Sequence, residues 1–400
     1  MDHAINPYFP QLRQIPSSRH LESSPLYRRL RPEIDRVLNT VETGEDPAGR
    51  SGPARSSIRA VAWNIERGLK LPGLARALRE HPLLREADAL LLTELDYGMA
   101  RTGNLHVTRE LARQLGMTYV FAPSYLNLDK GAGLEIEAPG ENDQALHGNA
   151  LLSRHPVSEP HALPLPNGKD KLRGNEKRLG CQRAILGLVE HPLGRFRAVS
   201  LHLDAHSSQA HRHRQMTLLL DHLQRWHPSL PVVIGGDWNT STHHARRAVY
   251  SILGYARRVL MGIENVLDNH YPHPQRWFER QLFRELENRG YRYRDLNQMG
   301  VCTLHYDAAN LATNRNMAEW IPNWCFWFID WALKNHQGRC SMKLDWFAGK
   351  GILPDPVSPP RVIGGLDEIF GKLSDHDPIL LDFGLGQERR FPSRRTPEYR

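Results

Sequence analysis

From residue 58 onward, short apolar runs alternate with stretches of helical spacing. Residues 58–65 (IRAVAWNI) read as a strand, 71–87 (LPGLARALREHPLLREA) as a helix and 87–95 (ADALLLTEL) as the next strand. Residues 104–116 predict a helix capped by Asn104 and ended by Gly116. Strands follow at 117–126 (MTYVFAPSYL) and from 147 (HGNALLSRHPV), the latter running into a turn at His155–Pro156. RAILGLVEH (183–191) and RFRAVSLHL (195–203) read as adjacent strands joined by a Pro-Leu-Gly turn. A helix over 207–227, capped by Ser207 or Ser208, precedes PVVIGGDWN (231–239), a buried strand of β-branched residues. In that strand Gly235 and Gly236 remove side chains where the backbone turns or approaches something closely. SMKLDWFAGKGI (341–352) and DPILLDF (377–383) predict the last strands.

Three regions break this rhythm. Residues 1–57 predict an N-terminal helix with apolar Leu26, Leu30, Ile34, Leu38 and Val41, capped by Ser24, and then a Gly/Pro/Ser-rich linker. Residues 241–340 predict a helical, aromatic-rich insertion, with helices over 243–262 and 275–290. Five of the nine tryptophans fall within 320–346, and they are assigned to packing. Residues 385–400 form a basic tail of disordered composition. The expected domains are therefore the 1–57 extension, a main domain over 58–384 and the tail.

A net charge of +8 favours acidic partners such as phosphoesters, nucleic acid or anionic membrane. The four cysteines (Cys181, Cys302, Cys325, Cys340) make no CxxC pair, which excludes a thiolate zinc site and favours free thiols in a reducing compartment. The N-terminus carries no signal pattern and no apolar run spans a bilayer, so a soluble cytoplasmic protein is expected. Dinucleotide, P-loop and G-x-S-x-G fingerprints are missing from the sequence.

Polar residues flank the apolar strands: Asn64, Glu94, His202, Asp237 with Asn239, Asp345, and Asp375 with His376. Polar groups from separate strands imply a shared pocket. Glu94 and Asp375 are hard oxygen donors suited to Mg²⁺ or Mn²⁺, with Asn64 beside them on the metal or its water. His202 and His376 can donate to phosphate oxygens, Asp345 can orient His376, and Asp237 can take a proton from water while Asn239 fixes the geometry.

WNIERG, TELD, HGNALLS, SLHLDAH, GGDWN, KLDWF and SDHDP, in this order, resemble the endonuclease/exonuclease/phosphatase superfamily over about residues 58–241 and 341–384. The resemblance implies a four-layer α/β sandwich with two central, mostly antiparallel sheets and divalent-metal-dependent phosphoester cleavage by water. It assigns metal positions to Asn64, Glu94 and Asp375 and phosphate contact to His202. Water activation falls to Asp237 and Asn239, and His376 with its partner Asp345 completes the set. Asn149, in HGNALLS, matches a substrate-contacting position in some members.

Arg101 is a further anion-binding candidate, set against a plain turn. Arg183 is the likeliest site member of the basic segment 169–183, whose alternative reading is a solvated loop. His202, His206, His211 and His213 raise the alternative of a zinc hydrolase. The other alternative is a non-catalytic anion- or nucleic-acid-binding protein on the same scaffold. A nuclease is the first substrate expectation, and oligomeric state is not legible.

Overall fold

The computed structural model describes residues 1–45, 55–205, 207–240, 254, 257–307, 331 and 333–386. The expected linker core (46–54), the tryptophans at 320–327, most of the 243–262 helix, His206 and the tail beyond residue 386 lie outside the described residues.

In chain order the strands are β1 (Glu42–Gly44), β2 (Ile58–Arg67), β3 (Ala89–Tyr97), β4 (Thr118–Asn127), β5 (Leu146–Ser153), β6 (Val157–Pro164), β7 (Arg178–Gly180) and β8 (Arg183–His191). They continue as β9 (Gly194–Ser200), β10 (Val232–Asp237), β11 (Leu304–Asp307), β12 (Arg339–Met342), β13 (Asp345–Lys350), β14 (Ile352–Pro354), β15 (Arg361–Val362) and β16 (Ile379–Leu385). One sheet runs β1-β4-β5-β3-β2-β16-β14, with β15 on β16 and β7 on β4; the second runs β13-β10-β9-β8-β6. Both are mixed: β2 is parallel to β3 and β9 to β10, while most other pairs are antiparallel.

Period-two alternation explains the layering. On β2, Ala60 and Ala62 face the second sheet and join Leu91, Val120, Ile185, Val233 and Phe347 in a buried cluster between the sheets. Val61, Trp63 and Ile65 point outward and pack with residues of the helices Leu71–Glu80 and Val107–Leu115. Behind the second sheet, Val199, Val232 and Ile234 pack with the helices Gln209–Arg225 and Arg280–Asn288. The result is the expected arrangement of helices, two sheets and helices.

Several boundaries differ from the sequence reading. His106, not Asn104, caps the helix Val107–Leu115, its ring nitrogen accepting from Arg109 N at 3.2 Å. Asn104 instead takes a left-handed turn (φ 58°) and accepts the Asp143 amide. The helix Pro25–Asn39 is capped by Ser24 as expected. Residues 1–45, however, do not stand apart from the main domain. Leu12, Ile34, Val37 and Leu38 share a buried cluster with Met99, Leu126, Leu146 and Leu179. β1 then adds an edge to β4, where Glu42 accepts from Arg109 Nη2 (2.7 Å) and Tyr119 Oη (2.8 Å). No helix among the described residues is long and apolar enough to cross a membrane.

The glycine pair of β10 behaves as the sequence implies. Gly236 has φ 139°, and a Cβ there would collide with the Leu201 carbonyl. Gly236→Ala is therefore expected to lower stability by more than about 2 kcal/mol, read as a lower denaturant midpoint at unchanged m-value.

Candidate active site

Asp237 ends β10 and lies directly opposite Asp345, the first residue of β13. β2 and β3 deliver Asn64 and Glu94 to the same end of the sandwich. β9 leads there to His202, and the segment before β16 brings Asp375 and His376. Because β13 and β16 run antiparallel to their neighbours, their starting residues meet the finishing residues of β10 and β2.

The strand ends are bent to aim these groups. Pairing slips between Leu92 and Leu95, and Glu94 sits in the slip with φ 58°. Glu66 (φ 46°) and Arg67 (φ 65°) occupy the matching slip on β2. Non-glycine residues in this region cost energy and need outside support. Asn149 supplies part of it: its Oδ1 accepts the freed Glu94 amide at 3.3 Å, and its Nδ2 donates to the Arg183 carbonyl at 2.8 Å.

Asp237 is buried and surrounded by donors. Asn239 N donates to its Oδ1 at 2.9 Å, and Asn64 Nδ2 donates to its Oδ2 at 3.1 Å. The same Asn64 Nδ2 reaches Glu94 Oε1 at 3.1 Å. The Asn64 oxygen accepts the Glu66 amide at 3.1 Å, while Nδ2 bridges the two carboxylates. His202 Nε2 lies 3.5 Å and His376 Nε2 3.9 Å from Asp237 Oδ2. His376 Nδ1 donates to Asp345 Oδ2 at 2.7 Å.

Electrostatics follow from this crowding. Burial pushes the Asp237 carboxyl up to about 6, with Asp345 adding to the rise and His376 and His202 opposing it. Burial alone would lower His376, but Asp345 and Asp237 outweigh it and hold the ring well above its usual range, hence cationic at neutral pH.

Glu66 was missed from the sequence, although it lies inside the WNIERG motif. Burial and the charges of Asp375 and Glu94 push its carboxyl up to about 7. Glu66, Glu94 and Asp375 are thus half-buried carboxylates, and the charges of Asp375 and Glu94 act on Glu66. Their oxygen-donor chemistry suits a divalent cation, which would relieve the repulsion that lifts Glu66. Thr303, also missed, is a buried residue of the insertion whose hydroxyl accepts the amides of Leu344 and Asp345, each at 3.1 Å.

Arg101 and Arg183 differ in how far their charges are already engaged. Arg101 is buried and donates to Asp96 (2.7 and 3.0 Å), Glu135 (2.8 Å) and Glu176 (3.3 Å), so its fork is already filled. Arg183 donates to Asn39 Oδ1 at 3.0 Å, has no carboxylate partner among the described residues, and its carbonyl accepts from Asn149. The 169–183 segment is not a solvated loop either: Lys171 pairs with Asp204 at 2.9 Å, and Glu176 is buried between Arg101 and Arg178. The histidine cluster also separates. His211 Nε2 contacts the Pro166 carbonyl and His213 faces Glu285, while His202 faces Asp237.

With this geometry in place the chain can be assigned to a class. It belongs to the Endonuclease/Exonuclease/phosphatase family, whose sequence profile matches residues 61–376. Its fold is similar to that of an endonuclease/exonuclease/phosphatase from Beutenbergia cavernae, at 17% identity over 83% of this chain and 72% of that one, with a TM-score of 0.50. The 3'-5' exonuclease of Neisseria meningitidis (15% identity, 82% and 100% coverage, TM-score 0.46) and the human Nocturnin catalytic domain (14%, 86% and 97%, 0.45) are more distant in shape. No curated protein matches the chain.

A second group of metal-ligating types, Asp88, His155 and His191, has ligand atoms within 4.8 Å of one another. It lies before β3, at the far end from Glu94. Asp88 already accepts from Arg55 Nη2 (2.6 Å) and Arg59 N (2.7 Å). Leu193 N donates to His191 Nδ1 at 3.0 Å, leaving the ring proton on Nε2, the atom that faces Asp88. Burial alone would raise Asp88; hydrogen bonds from His155 and the Arg59 amide, with the charge of Arg55, hold it below its ordinary 3.8. A depressed carboxyl contributes stability above its unfolded value and loses it as pH falls through the folded one. Asp88→Asn should therefore cost on the order of 2 kcal/mol at pH 7. Denaturant melts should show that difference shrinking once the pH falls below 3.8.

Proposed function

We propose that this chain hydrolyses phosphoesters by direct attack of water, with Asp237 as the general base. The observation that carries the reading is one buried carboxylate, Asp237, facing two imidazoles and sharing the Asn64 amide with Glu94. Asp237 takes the proton of the attacking water. Asn64 and Asn239 hold its carboxylate in a single orientation, so little reorganisation accompanies the transfer. His376, kept cationic by Asp345, donates from Nε2 to a phosphate oxygen as charge builds there; His202 donates from the other side. Glu66, Glu94 and Asp375 would hold Mg²⁺ or Mn²⁺, which when bound neutralises phosphate charge and acts as a Lewis acid. Asn149 acts by fixing the Glu94 backbone. Nucleic acid is the first substrate class, on the +8 balance of the chain.

The non-catalytic reading is disfavoured because Glu94, Asp237 and His376 are all present and mutually engaged. The zinc reading built on His202, His211 and His213 is disfavoured because these three side chains diverge.

A panel of nucleic acids, bis-aryl phosphates, sugar phosphates and phospholipids tests the proposal. Hydrolysis should vanish in EDTA and return with Mg²⁺ or Mn²⁺. Asp237→Ala should lower kcat by about 10³-fold, and Glu94→Gln should raise the metal concentration needed for half-maximal rate. Equal turnover by wild type and Asp237→Ala would remove Asp237 from this role.

A further inference from the structure

The helix Arg280–Asn288 buries Leu282, Phe283 and Leu286 against the second sheet's outer layer. Its other face carries Arg280 and Arg284, exposed and one turn apart, an arrangement of like charges that opposes helix formation. Arg276, from the preceding turn, and Arg294, from the turn after the helix, close a concavity of about 430 Å³ floored by Phe283 and Tyr293. Glu287 lines it too but is taken by Arg294, at 2.9 Å from Nη2. Among the described residues Arg276, Arg280 and Arg284 have no carboxylate partner. This contrasts with Arg101, which is buried among three.

The concavity also carries an aromatic rim. Trp277 is 51% exposed, and its ring lies parallel to His270, with centroids 4.3 Å apart and planes 4° apart. A held indole with half its surface open is a platform for a flat ring. Guanidinium forks suit phosphate oxygens, and an exposed aromatic face suits an unpaired base, whose faces a duplex would hide.

Two contacts tie the borders of the pocket to segments that also carry residues of the candidate active site. Glu279, the residue before Arg280, is fully buried and paired with Arg212 on the helix that follows His202. Tyr271 accepts the amide of Lys343, two residues before Asp345.

We propose that this insertion-borne concavity binds the phosphate backbone of a single-stranded nucleic acid, outside the hydrolytic centre. Arg276, Arg280 and Arg284 take phosphates and Trp277 stacks a base. In naming that strand as the substrate, the proposal rests on the phosphoesterase reading.

The test uses the full chain in EDTA, with anisotropy of a fluorescein-labelled oligothymidylate titrated across a KCl series. Arg280→Gln with Arg284→Gln should weaken binding at least about tenfold and reduce the slope of log Kd against log salt by about 1.4. Trp277→Ala should weaken binding about tenfold without changing that slope. Arg276→Gln, outside the helix, should reduce the slope by about 0.7 even if the helix variant folds poorly. Turnover of bis(p-nitrophenyl) phosphate with Mn²⁺ should be unchanged in all of these. Unchanged affinity and slope in the arginine variants would overturn the proposal, as would equally tight, equally arginine-dependent binding of duplex. Arginine-dependent binding without hydrolysis of any phosphoester would leave the groove standing and remove the hydrolytic reading. Asp237-dependent hydrolysis with arginine-independent binding would do the reverse.

Discussion

A carboxylate shut away from water at the end of β10 must be compensated, and that end of the sandwich is arranged around the requirement. Burial raises Asp237 toward its neutral form. Amides from Asn64 and Asn239 and the cationic His376 favour the charged one. Asp345, 2.7 Å from Nδ1, and Asp237 together hold His376 in its charged form. Asp345 is in turn placed by pairing with β10 itself. The groups are thus mutually dependent: removing one leaves another buried and unpaired, which costs more than the contact itself contributes.

The additions to the sandwich serve this arrangement as well as surrounding it. Thr303, from the 241–340 insertion, accepts the Asp345 amide, and its own carbonyl accepts the Asp377 amide at 2.7 Å. One residue therefore ties the start of β13 to the segment carrying Asp375 and His376. Ser374 anchors that segment from the other side, donating to the Asn64 carbonyl at 2.7 Å. The N-terminal extension acts at a distance, covering the outer edge of the first sheet through β1 and the helix Pro25–Asn39.

The positive charge of the chain is unevenly spent. Near Glu94, Arg67 faces Glu94 at 3.8 Å and Glu135 at 3.0 Å, and Arg101 and Arg178 are matched by Asp96, Glu135 and Glu176. These arginines rigidify the wall beside the pocket. Among the described residues, Arg280 and Arg284 on the insertion helix have no carboxylate partner and lie beside the exposed Trp277. Open arginine charge is thereby separated from the paired charge that shapes the wall beside Glu94.

Much of the fold was legible in the sequence because its signals are local. Period-two apolar runs, the Ser24 cap, the Gly116 stop and the Gly235–Gly236 pair all state their structural reason within a few residues. The motif residues at the strand ends were legible for the same reason, from Asn64 to His376. What stayed hidden depends on partners far along the chain. Arg101 read as an anion fork until Glu135 and Glu176 folded onto it. Asn149 read as a polar residue beside substrate, and only the slip in β3 shows that it also accepts the Glu94 amide. Glu66 lay inside a recognised motif, yet only the approach of Asp375 from the other end of the chain made it part of a charged cluster. Sequence determined which residues could carry chemistry; tertiary structure decided which were already satisfied. A hydrogen bond or ion pair is set by distance in space, and separation along the chain does not report it.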